Sequence, residues 1–112
     1  MDKRQLAKNT ADSKILEQLS HTRDWVVRYH VARNSNTSAE TLEFLSRDKD
    51  CGVRYYVTQN SNTAFETLKQ MAIDDEYDYV RTLILQNPNC PNELYMYIEG
   101  RFLLQTLSQS ST

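Results

Sequence analysis

The run Val27-Arg28-Tyr29-His30-Val31-Ala32-Arg33-Asn34-Ser35-Asn36-Thr37 returns 26 positions later as Val53-Arg54-Tyr55-Tyr56-Val57-Thr58-Gln59-Asn60-Ser61-Asn62-Thr63. A third copy stands at Val80-Arg81-Thr82-Leu83-Ile84-Leu85-Gln86-Asn87-Pro88-Asn89, and a worn one at Leu6-Ala7-Lys8-Asn9. A short fixed period constrains the fold more than any composition could. Each unit is too small to bury its apolar face alone and must bury it against its neighbours.

Each unit divides into two apolar segments. In the first, Val53, Tyr56 and Val57 are spaced three and four apart, which places them on one side of a helix of about two turns. Asn34, Asn60 and Asn87 close this segment, and asparagine tolerates the left-handed conformation that ends helices. The second segment opens on a capping box, Thr37 with Glu40 and Thr63 with Glu66. In the last copy Pro91 stands where a first helical residue belongs. Apolar pairs then follow in register: Leu16 and Leu19, Leu42 and Leu45, Leu68 and Met71, Leu94 and Tyr97. No segment alternates apolar and polar residues long enough to form a strand. The expected fold is all-α, an αα-solenoid of about four units near 1–25, 26–52, 53–79 and 80–107, with a disordered tail over 108–112.

The pattern Val-Arg-Tyr-x-Val-Ala/Thr-x-Asn-Ser-Asn-Thr-x-x-Glu-Thr-Leu resembles the leucine-rich repeat variant family, whose units run close to V-R-x-x-V-A-x-N-P-x-T-P-x-x-x-L. The resemblance covers about residues 6–99 and includes Asn87-Pro88-Asn89-Cys90-Pro91, where both family prolines stand. It implies a right-handed superhelix akin to HEAT and armadillo arrays, pairing an α-helix with a short 3₁₀ helix. The residues themselves leave open whether the shorter segment is α or 3₁₀. Some arrays of that family follow a cysteine-rich iron–sulfur module; Cys51 and Cys90 here make no such module, and no cofactor is expected.

Composition bounds the function. With 13 basic and 15 acidic residues the net charge is −2 and the isoelectric point about 5.6, which gives no push towards nucleic acid or anionic lipid. The two cysteines fall at different repeat positions and are expected to be reduced thiols of a cytoplasmic protein. No apolar run is long enough to span a bilayer, and the first residues lack the apolar stretch of a signal peptide. No Ser-His-Asp set, phosphate loop or metal cluster is present, and His21 and His30 stand apart, so no enzymatic activity is expected.

Two recurrent features carry the functional expectations. Arg28, Arg54 and Arg81 share one repeat position and follow Asp24, Asp50 and Asp78 by four, four and three residues, which reads as an Asp–Arg ladder tying units together. The same row could instead bind phosphate, and a nucleic-acid binder is the rival reading. Seven tyrosines are many for 112 residues; Tyr29 and Tyr55 share a position, and Tyr95 matches the exposed-looking Glu43 and Lys69. Trp25 is expected to cover the interface between the first two units. Phe102 and Leu103 lie in an apolar stretch, 101–107, that either caps the stack or forms a contact with a partner or a second copy. The expected function is a non-enzymatic module that binds another protein.

Overall fold

The computed structural model describes residues 2–74, 84, 86 and 87. Tyr95, Phe102, Leu103, Asp78 and Arg81, the capping stretch and the tail lie outside the described residues. Every element among the described residues is an α-helix: α1 Lys3–Asn9, α2 Ser13–Leu19, α3 Trp25–Arg33, α4 Ala39–Leu45, α5 Cys51–Gln59 and α6 Phe65–Asp74. The helix that opens a unit is therefore α rather than 3₁₀, and at nine residues α3 and α5 are longer than the seven of α4.

The reason lies one turn upstream of the repeat motif. Asp24 and Asp50 are N-caps, accepting from the Val26 and Val53 amides at 3.0 Å each, so each helix starts before its Val-Arg pair. Asp2 and Asp12 do the same for α1 and α2. For α4 the cap is Ser38, whose hydroxyl accepts from the Thr41 amide, and not Thr37. Thr37 and Thr63 instead donate to the carbonyls of Val31 and Val57, at 2.6 and 2.7 Å, and are fully buried. Both lock the turn between a unit's two helices.

Helices of seven to ten residues are marginal alone, so tertiary burial must hold them. α3 lies between α1 and α5 and also touches α2 and α4. Leu16, Leu42 and Leu68 are all fully buried, as are Val31, Val57 and Ile84, the matching residues of successive first helices. Leu19, Leu45 and Met71 complete the second helices' inner row. The result is a thin, continuous core in a body of 57 × 25 × 16 Å. Leu68→Ala is expected to cost about 2–3 kcal/mol in urea unfolding, below the upper range for buried leucines because two-helix layers can close over part of the gap. A loss under about 0.5 kcal/mol would break the assigned register.

Asparagine fastens the layers. Asn34 ends α3 with φ −72° and Asn60 ends α5 with φ −83°, and neither adopts the left-handed conformation expected from the sequence. Their buried amides reach back across the stack. Asn34 donates to the carbonyls of Ala7 and Thr10, both at 2.9 Å. Asn60 donates to Ala32 and Asn34 at 2.9 and 3.0 Å, and Asn87 to Thr58 and Asn60 at 2.6 and 3.1 Å. The side-chain oxygens of Asn34 and Asn60 accept from the amides of Asn36 and Asn62, so each asparagine closes its own turn while satisfying helix-end carbonyls of the preceding unit. In the first unit Thr10 supplies the helix-end carbonyl, and Asn9 remains inside α1.

Candidate functional site

Of the described members of the arginine row, Arg28 is buried and Arg54 half-buried. Arg28 pairs with Asp48 at 2.7 Å, with side chains only 8% and 6% exposed, and also donates to the Thr22 carbonyl at 2.8 Å. Arg54 makes the equivalent bond to the Asp48 carbonyl at 2.6 Å. The carboxylates four residues upstream, Asp24 and Asp50, are engaged as caps and are not the partners of these arginines as expected. Asp24 pairs with Arg4, a surface contact at 2.8 Å that holds the Asp24 carboxyl below, and the Arg4 guanidinium above, their ordinary values. The arginines thus join residues twenty apart: Arg4 to Asp24, Arg28 to Asp48. The Arg28 guanidinium, buried and already bonded through each of its three nitrogens to a carboxylate or a carbonyl, is closed to an incoming phosphate.

A different set of residues forms the accessible face, on α1, α3 and α5. Tyr29 meets Tyr56 edge-on with ring centroids 4.9 Å apart, and Tyr55 meets Tyr56 at 4.8 Å. Trp25 extends the group from the start of α3, edge-on to Tyr29 at 6.1 Å. It is half exposed, and its ring contact is with Tyr29 of its own helix. The Arg33 guanidinium lies over both Tyr29 and Tyr56, 5.5 and 4.9 Å from the ring centres. Hydrogen bonding to Tyr29, with burial, raises the Tyr56 hydroxyl above its ordinary value. At Gly52 a β-carbon would stand 3.0 Å from the Asp50 carboxylate that caps the same helix, and in ordinary contact, 3.9 Å, with the Tyr29 ring.

Tyr29 and Tyr55 are thus brought together, both half-buried, with Tyr56 between them. Sequence reasoning missed Tyr56 and Arg33 as members. Their signal was present, since Arg33 stands four residues after Tyr29, but Tyr56 was assigned to the apolar side of its helix. Tyr56 does both: it touches the core and carries its ring to the surface. Lys8 and Arg33 are exposed at the end where α3 meets α1, and His30 is half-buried. Burial, reinforced by Arg33, Lys8 and Arg4, lowers the His30 pKa from its ordinary value.

The second helices present another surface. A depression of about 390 Å³ between α4 and α6 is bordered by Glu40, Glu43, Glu66 and Arg47. Phe44 of α4 is also exposed, its ring 4.4 Å from that of His21. The two surfaces differ in charge, cationic and aromatic on α1, α3 and α5, mainly acidic at the depression. Among the described residues no group of histidine, cysteine or carboxylate side chains is arranged to hold a metal, and no helix is long and apolar enough to cross a membrane. Compared with family models, curated protein sequences and solved structures, the chain matches none.

Proposed function

We propose that this chain is a non-enzymatic helical-repeat module, a superhelical stack of about four units, that binds another protein through the face of α1, α3 and α5. The observation that carries this reading is the Trp25–Tyr29–Tyr56–Tyr55 aromatic group with Arg33 laid over it. Tyrosine, tryptophan and arginine dominate the energetics of protein interfaces because they bring large contact area and donors at small entropic cost. These side chains are also pre-ordered by one another, which lowers the cost of docking. The nucleic-acid reading loses support, since Arg28, which it would use, is buried against Asp48.

A displayed random-peptide library selected on the full chain tests this reading. Peptides that bind the parent and are released by Trp25→Ala or Tyr56→Ala are the expected product, with both variants retaining the parent circular dichroism. Selection that yields no such peptides, or only peptides indifferent to both variants, would sink it.

A further inference from the structure

Resting on the protein-binding reading above, we infer that the α1/α3/α5 face takes an acidic peptide segment, with Arg33 and Lys8 receiving its carboxylates beside Trp25. Three observations converge on that chemistry. The first is charge. Lys8 and Arg33 are exposed on adjacent helices, and Asn34, the residue after Arg33, bonds the carbonyl of Ala7, the residue before Lys8, so the two cations stand at the same end of the face. The acidic border at Glu40, Glu43 and Glu66 belongs to the other helices, so the molecule's own field directs an acidic segment towards one face and away from the other.

The second is the state of Arg33. Its guanidinium carbon lies 5.5 and 4.9 Å from the ring centres of Tyr29 and Tyr56, and it donates a long hydrogen bond, 3.5 Å, to the Tyr29 hydroxyl, which together hold the fork in place. Remaining donors at the edge of a held fork match a carboxylate in two-point geometry. The third is Trp25, half exposed at the end of the aromatic group, where an apolar residue flanking the carboxylates can settle.

A single-stranded nucleic acid fits less well. Base stacking needs open ring faces, whereas Arg33 lies over the rings of Tyr29 and Tyr56, and Tyr56 meets Tyr29 and Tyr55 edge-on at 80° and 82°. Phosphate tracking needs a longer row of free cations than Lys8 and Arg33 provide, on a chain of net charge −2.

Fluorescence anisotropy on the full chain decides the matter. The probes are a short glutamate-rich peptide carrying one leucine, the same peptide with glutamine for glutamate, and oligothymidylate. The glutamate peptide should bind about tenfold more tightly than the glutamine peptide, the ratio expected for losing a charged hydrogen-bonded contact. Arg33→Gln, with unchanged circular dichroism, should cut that preference severalfold, Lys8 remaining, while leaving the weaker glutamine-peptide binding nearly as it was. Equal binding of the two peptides, no binding of either, or an unaffected Arg33→Gln variant overturns the inference. Tighter binding of oligothymidylate than of the glutamate peptide overturns it in favour of nucleic acid. If library peptides dependent on Trp25 and Tyr56 emerge without acidic residues, the inference fails while the protein-binding function stands.

Discussion

Asp48→Ala should lower the free energy of unfolding by about 3–5 kcal/mol, because it strands a buried guanidinium. Arg28 keeps only the Thr22 carbonyl in that variant, with its side chain 8% exposed and no route to water without opening the layer. Asp48 also accepts from the Asp50 amide at 2.9 Å, so the turn that launches α5 is weakened as well. Replacing both partners by apolar residues, Arg28→Met with Asp48→Leu, should recover more than half of the loss, since removing both charges removes the desolvation penalty with them. Urea unfolding followed by circular dichroism measures each. A single-variant loss under about 1 kcal/mol would mean that the pair behaves as a solvated surface contact. Arg4→Ala is the internal control: its pair with Asp24 is open to solvent, and its loss should hardly be felt.

Asn60→Ala is the second large effect, about 3–4 kcal/mol by the same measurement. The substitution deletes bonds to the Ala32 and Asn34 carbonyls and from the Asn62 amide, each contributing about 1 kcal/mol net, and leaves buried carbonyls without a donor. Asn60→Asp separates the two halves of the argument. The new carboxylate can still accept from the Asn62 amide but faces two carbonyls it cannot bond. Its folded-state pKa must rise above the unfolded value, so the stability it retains is present at low pH and is lost as pH rises through the folded pKa. A variant whose stability increases with pH across that range would show that the amide does not face those carbonyls.

How much of this the sequence carries can be judged from single residues. The buried rows Leu16, Leu42, Leu68 and Leu19, Leu45, Met71 are legible because burial repeats with the unit and nothing competes with it. The roles of polar residues are less legible, since one residue type serves two geometries. Asp24 and Arg28 have the spacing of an in-helix pair, yet Asp24 caps α3 and pairs with Arg4, while Arg28 reaches a carboxylate twenty residues on. Only the stacking of layers brings those groups together. Thr37 and Ser38 are both competent caps, and the buried carbonyl of Val31 claims the threonine. The asparagines are visible as helix ends, but a local rule suggests a left-handed residue where a long-range amide contact holds an extended one. The candidate face teaches the same lesson: Tyr29 and Tyr55 recur visibly, whereas Tyr56 and Arg33 join them only when α3 and α5 lie side by side.

The asparagine contacts also have a direction. At Asn34, Asn60 and Asn87 alike, the donor sits on the later unit and the acceptors across the stack are carbonyls of the earlier one. An earlier unit therefore presents its acceptors before the later one exists, and ribosomal synthesis delivers the units in that same order. Each emerging unit brings the donors for acceptors already made, and the apolar face of the earlier unit is covered only when that neighbour arrives. The bonds that fasten two layers are therefore completed by the later unit alone, and the earlier one has only to hold its helix ends open to receive them.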